Sequence, residues 1–148
     1  MTKPLDDSKE PCPVARATSL IGDRWSLLIV RDAFDGVRRF SDFQRSLGVA
    51  KNILSDRLRR LVEAGILASQ ATREGSAYQE YVLTEAGKDL FPIVLALRQW
   101  GERQLFAPGE PHSELVETAS GQPVAAMLPR RQDGSILLPH ETRVRKLP

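Results

Sequence analysis

SDFQRSLGVAKNILSDRLRRLVEAG, residues 41–65, is the stretch that decides the fold. Ser41-Asp42-Phe43-Gln44 has the spacing of a capping box. A serine oxygen accepts from the backbone N–H three residues on, and a glutamine reaches back. This predicts a short helix that follows Ser41 as its cap and ends near Leu47-Gly48, where glycine supplies a left-handed stop. A second helix is expected from Ala50 or Lys51 to Ala64, with Gly65 as its stop. Two helices joined by a turn of about three residues containing glycine are the signature of a helix-turn-helix.

The second helix of the pair is amphipathic. With Leu54 at zero on a wheel of about 100° per residue, Leu58, Leu61 and Val62 fall within about 80° of it. Asn52, Asp56 and Arg59 lie opposite, flanked by Ser55 and Arg60, with Lys51 at the amino end. Amide, hydroxyl and guanidinium groups on one exposed face can address base edges: asparagine pairs with adenine and arginine with guanine. Such helices read mainly with their amino-terminal part. The expected base contacts are therefore Asn52, Ser55, Asp56 and Arg59, and the expected phosphate contacts Lys51 and Arg60.

Charge supports this placement. The chain of 148 residues has a net charge of only +2. Between Arg38 and Arg60, however, seven basic residues (Arg38, Arg39, Arg45, Lys51, Arg57, Arg59, Arg60) face two acidic ones, Asp42 and Asp56. This segment is +5 and the remainder −3. A basic stripe on a near-neutral chain suits a polyanion; a solvated helix face is the other reading of the same charges.

Outward from this pair, residues 1–11 read as a polar, disordered arm. Pro13 to Ile21 is expected as a first helix, with proline at its opening position. Arg24 to Phe34 is expected as a second, begun by Asp23 and ended by Asp35-Gly36. Ile66–Gln70 and Tyr78–Leu83 flank a turn-rich Arg73-Glu74-Gly75-Ser76 and read as a hairpin. Arg73 at its tip is placed to follow DNA into the minor groove. Arg38, Arg39 and Ser41 precede or open the first helix of the pair and are further candidates for phosphate. Thr84 is expected to cap a long last helix reaching about Phe106, bent at Pro92. That helix carries apolar residues on two faces, so one of them awaits a partner. Residues 107–148 read as a small β appendage, with Asp133-Gly134 as a hairpin turn. The predicted class is α+β, mainly α: a winged helix-turn-helix domain over 12–106 with a β tail.

With 41% apolar and 27% charged residues the composition is that of an ordinary globular chain. No apolar run approaches the ~18 residues of a membrane span. The amino end has no apolar signal region, which places the expected protein in the cytoplasm. One cysteine, Cys12, allows neither an intrachain disulfide nor a cysteine zinc site. His112 and His140 both fall in the tail, and no nucleophile–base pair or phosphate loop is identifiable, so neither a cofactor nor an enzymatic role is expected.

Several ordered matches then point to a family. They are Cys12-Pro13-Val14, Gly22-Asp23-Arg24-Trp25 running through Leu27-Leu28-Ile29, and Arg38-Arg39-Phe40-Ser41-Asp42-Phe43. Lys51 with Leu54-Ser55, Arg57-Leu58 and Leu61 continues the series, followed by Glu63-Ala64-Gly65-Ile66 and by Tyr81-Val82-Leu83-Thr84 with Gly87. Over residues 12–106 the chain resembles the HxlR-type winged-helix regulators, a branch related to the MarR group. The resemblance implies a dimeric bacterial transcription regulator of repressor type. It would bind double-stranded operator DNA, with the first and last helices forming the dimer interface. Ala50 departs from the pattern, since relatives carry a serine or threonine cap there; the loss is about 1 kcal/mol. Some relatives have cysteine pairs in an extended tail, absent here, so no metal is expected.

The resemblance also bears on a signal. Some relatives sense oxidants through a cysteine near the amino end, where Cys12 stands. A thiol at a helix start has its thiolate favoured by the dipole, and Arg16 one turn on adds to this; simple packing of a small residue is the competing reading. A small apolar effector held by Trp25, Phe91 and Trp100 is another possibility, against a plain structural role for these aromatics. The competing function for the whole chain is a winged-helix protein-interaction module without DNA binding, which would have no need of the basic stripe.

Overall fold

Asp23 sits in extended backbone and its carboxylate accepts the Ser26 N–H at 3.0 Å, so the helix that follows starts at Arg24. The computed structural model describes residues 9–72 and 78–148. Its elements are α1 (Pro13–Ile21), α2 (Arg24–Phe34), α3 (Phe40–Leu47), α4 (Lys51–Glu63), β1 (Leu67–Ala71), β2 (Gln79–Leu83), α5 (Glu85–Lys88) and α6 (Phe91–Gln104), with a short 3-10 helix at Pro139–Glu141. By its own contacts the chain divides into two units, one up to Val94 and one from Leu95 on.

In the first unit α4 packs chiefly on α2, with α3 against both. Ile29, Val30, Phe43 and Leu54 are fully buried, and Leu58, Leu61 and Leu67 nearly so. Each such side chain stabilises the fold by about 1.5–3 kcal/mol on removal from water. The buried stripe of α4 is Leu54, Leu58 and Leu61, as its periodicity predicts, with Val62 half-buried beside them. Gly48 ends α3 with φ +63°, a backbone conformation that other residues adopt only under strain, and its N–H returns to the Gln44 carbonyl at 2.8 Å. Gly48-Val49-Ala50 is thus the turn of the helix-turn-helix, with Val49 buried beneath it.

β1 and β2 pair antiparallel in the register Leu67↔Leu83 to Ala71↔Gln79. A third segment joins them. Arg39 bridges Glu80, and the Tyr81 N–H donates to the Arg38 carbonyl at 2.8 Å. The expected hairpin tip, Arg73 included, lies outside the described residues.

Two sequence expectations need correction. Ser41 does not cap α3. Pairing with β2 holds Arg39 extended (φ −95°, ψ 146°), so Arg39 is the uncapped start and the helix begins at Phe40, two residues ahead of where a Ser41 cap would set it. Thr84 does cap a helix, accepting the Gly87 N–H at 3.0 Å, but that helix is only α5. The Leu90 N–H closes back to the Gly87 carbonyl and α6 starts afresh at Phe91. Pro92 explains the break: in one continuous helix it would leave a carbonyl without a donor, whereas in the first turn of α6 no donor is needed.

In the second unit Leu95 and Gln99 are the buried side chains of α6. The Gln99 amide donates to the Ala125 carbonyl at 3.0 Å and accepts the Met127 N–H at 2.8 Å. The tail has no strands of its own. Two turns are closed by single bridges, Val116↔Pro123 and Arg130↔Ile136, the second around Asp133-Gly134.

Candidate nucleic-acid interface

α4 presents its polar side to solvent because its apolar side is committed to the core. Lys51, Asn52 and Ser55 are exposed, and their side chains have no hydrogen-bond or ion-pair partner among the described residues. Ala50 starts the helix without a side-chain cap, as its sequence foretold, so the opening N–H groups of α4 are not met by a side chain.

The carboxyl half of the face is organised differently. Asp56 takes three arginines: Arg57 Nη1 at 2.6 Å, Arg59 Nη2 at 2.8 Å and Arg60 Nε at 3.1 Å. Arg59 also reaches Glu63 at 3.0 Å, one helical turn on. The hydrogen bond from Arg59 holds the Asp56 carboxyl below the usual carboxylate range against the opposing effect of desolvation, and the charge of Arg60, the hydrogen bond from Arg57 and the charge of Arg59 add to it. Arg57 faces inward, its side chain 24% exposed against 58% for Arg59 and 62% for Arg60. Its Nε meets Asp23 at 3.0 Å. Burial would raise Asp23, but the hydroxyl and N–H of Ser26 and the Arg57 guanidinium outweigh that and leave it lowered.

Arg57 is the functional residue that sequence reading missed. It counted as one more charge in the stripe and as part of the family pattern, yet it also ties α4 to the start of α2. No local signal shows this, because the two partners are 34 residues apart.

Beside α4 the amino end of α3 opens onto β2. A groove is lined by Arg39, Phe40, Ser41, Tyr78, Gln79 and Tyr81. Ser41 is exposed in the first turn, and the Phe40 and Ser41 N–H groups precede the first intrahelical bond, made by Asp42. Arg38 is exposed and lies 3.8 Å from Glu80. Arg38, Arg39 and Ser41 are thereby gathered at one helix start.

The remaining candidates are dispersed. Cys12 is exposed at the start of α1, with its N–H on the Glu10 carboxylate at 3.1 Å. Arg16 turns to the Glu10 carbonyl, so the neighbour expected to activate the thiol is engaged elsewhere. Trp25 is half-buried against the core, with the Arg24 guanidinium 4.9 Å from its ring centre. Phe91 meets Phe34 at 5.5 Å, and Trp100, in the second unit, is 54% exposed. Among the described residues no His/Cys/Asp/Glu group is placed to hold a metal, and no helix is long and apolar enough to cross a membrane.

A family model described as HxlR-like helix-turn-helix matches residues 20–108. The chain belongs to the HxlR family. Mb3122 of Mycobacterium bovis, named an HTH-type transcriptional regulator, is 45% identical over 109 residues, covering 74% of this chain and 69% of its own. The crystal structure of PA1607, described as a transcription factor, has TM-score 0.90 and 54% identity, over 95% of this chain and 98% of that one. HypR in its reduced form, described as a redox regulator, has TM-score 0.58 and 33% identity, over 64% of this chain and 96% of its own. These are regulators, not enzymes.

Two residues of the HxlR resemblance now have physical reasons. Asp23 both caps α2 and receives Arg57 from α4. Gly87 lies against Ile66, the residue before β1: a Cβ there would sit 2.1 Å from the Ile66 carbonyl oxygen. Only glycine lets α5 approach that backbone.

Proposed function

We propose that this HxlR protein is a cytoplasmic, dimeric repressor that binds a pseudo-palindromic operator through α4. The observation that carries the reading is the solvent face of α4, where Lys51, Asn52 and Ser55 stand free and Arg59 and Arg60 project beside them on a helix fixed from behind by Leu54, Leu58 and Arg57. Asn52, Ser55 and Arg59 address base edges, while Lys51 and Arg60 meet phosphates. Arg38, Arg39 and Ser41 at the start of α3 take a flanking phosphate, and Arg73, which lies outside the described residues and which the sequence pattern assigns to the wing tip, takes the minor groove.

Dimerisation accounts for apolar residues that the chain leaves uncovered. On α6, Ile93, Leu97 and Trp100 recur at helical spacing opposite buried Leu95 and are 41%, 51% and 54% exposed. Val14 and Leu20 on α1 are likewise exposed. A soluble helix with such a stripe finds a partner, here the same stripe of a second copy.

The test is selection of operator DNA followed by binding titrations across salt. Log affinity should fall linearly with log salt. Arg59→Ala should relax preference at one position at a cost of about 1–3 kcal/mol, whereas Lys51→Ala should weaken all sequences alike and reduce the slope by about 1. Salt-independent binding, or full affinity from a monomer, overturns the reading.

The likeness to HypR and the exposure of Cys12 favour an oxidant as the signal. With one cysteine per chain, the product is a disulfide to a second copy or to a small thiol. Diamide should then alter operator affinity in the native chain and leave Cys12→Ser unaffected.

A further inference from the structure

We infer that Asp56 is a positioning residue that restrains Arg59 and Arg60 and so sets the preference for operator over other DNA, in place of the base contact its sequence position suggests. The inference rests on the reading that α4 enters DNA and deepens it.

Three observations converge. The Asp56 carboxylate is shared, with Oδ1 on Arg59 and Oδ2 on Arg57 and Arg60. Its three partners are unequal: Arg57 is held from behind by Asp23, while Arg59 and Arg60 extend into solvent. Asp56 is therefore a fixed negative charge, anchored through Arg57 to the start of α2, in the middle of a basic face. Finally, Glu63 holds the other side of the Arg59 guanidinium, so this residue lies between two carboxylates along the helix.

The physical consequence follows from the strength of such contacts. Exposed ion pairs are weak and exchange readily. A phosphate backbone alone must displace Asp56 from Arg59 or Arg60 while bringing its own charge toward that carboxylate. A guanine edge offers two neutral acceptors in the geometry of one guanidinium, and it can take Arg59 without placing a new anion beside Asp56. Restraint therefore penalises contact with any duplex more than contact with the right one. Removing the carboxylate releases two cations to wander among phosphates.

The experiment uses the full chain with Asp56→Asn, which keeps the shape and removes the charge. Affinity for the selected operator and for a scrambled duplex is measured across salt. The expected result is tighter binding to the scrambled duplex, a salt slope steeper by about 0.9 for each arginine that gains a phosphate, and an operator-to-scrambled ratio lower by about tenfold. Glu63→Gln, on the outer surface where folding is not at stake, frees one side of Arg59 and should move the ratio the same way to a smaller degree. In a background of Arg59→Gln with Arg60→Gln, Asp56→Asn should leave the slope unchanged, because the restrained groups are gone. A native chain that binds selectively, with slope and ratio untouched by Asp56→Asn and Glu63→Gln, overturns the inference alone. So does a changed base preference at one position with no gain for scrambled DNA, which would make Asp56 a reader. Absence of salt-dependent DNA binding by the native chain overturns the DNA-binding reading and this inference with it.

Discussion

The residues up to Val94 and those from Leu95 onward are ordered by different means. In the first unit helices close around Ile29, Phe43, Leu54 and Leu58, and almost every large apolar group of α2, α3 and α4 is turned inward. In the second, order comes from polar contacts made one by one. Gln99 clasps Ala125 and Met127, Arg98 donates to the Ser113 hydroxyl at 2.9 Å, and Arg131 pairs with Glu141. Meanwhile Met127, Leu128, Ile136 and Leu138 remain between 41% and 49% exposed. An apolar cluster gives cooperative stability, whereas a set of separate hydrogen bonds gives a shape that opens locally. The proposed reading face is built on the former.

The comparison can be broken at its strongest point first. Phe43→Ala should cost about 3–5 kcal/mol and lower the main thermal transition by many degrees; a small loss would mean that the helix pair does not depend on its apolar centre. Gly87→Ala should cost about 1–3 kcal/mol, because the Ile66 carbonyl occupies the space its methyl group needs. Denaturant unfolding measures it, and a neutral outcome would show that α5 shifts freely. Gln99→Leu should cost about 1 kcal/mol and act locally, with faster amide exchange at Met127 and little change in the exchange of Leu58. Loss of protection in both would erase the distinction between the units.

The smallest effect is that of acid. Asp23 and Asp56 in the first unit and Asp133 in the second are all held below the ordinary 3.8, Asp133 by the hydroxyl and then the N–H of Ser135. A carboxylate lowered by folding stabilises the native state fully above its unfolded pKa and loses that contribution as pH falls through the folded one. Melting temperature should therefore hold steady from pH 7 to 5 and decline below about 4. Asp23→Asn, which can still accept the Ser26 N–H, should blunt the decline; an equal decline would place the acid-sensitive groups elsewhere.

Where a signal is local, the sequence was legible. Proline at the opening of α1, Asp23 before α2 and the wheel of α4 each act within one or two turns, and the observed bounds of α1 and α2 match those expected. Ser41 misled because its capping box competes with a distant strand: the bridge from Arg39 to Glu80 fixes the start of the helix two residues too early for that cap. The long last helix failed at Pro92, whose missing donor favours a new start over a bend. On the candidate face, the exposure of Lys51, Asn52 and Ser55 was readable from periodicity. The pairs of Asp56 with Arg59 and Arg60 follow the i,i+3 and i,i+4 spacing of a helix and were legible in the sequence; the clamp of Arg57 on Asp23 depends on tertiary contact, which periodicity does not carry.

The shared carboxylate has a consequence for how this surface changes over time. Positions 56, 57, 59 and 60 meet at one pair of oxygen atoms, so a substitution at any of them alters the setting of the others. Effects measured singly at these positions will not sum. On the proposed DNA-binding reading, a lineage acquiring a new operator revises the group together or passes through forms that bind indiscriminately. The neighbouring Asn52 and Ser55, whose side chains have no partner among the described residues, can change one at a time without disturbing that group. On that reading, divergence among regulators of this kind should begin at the amino end of the helix, ahead of its coupled carboxyl half.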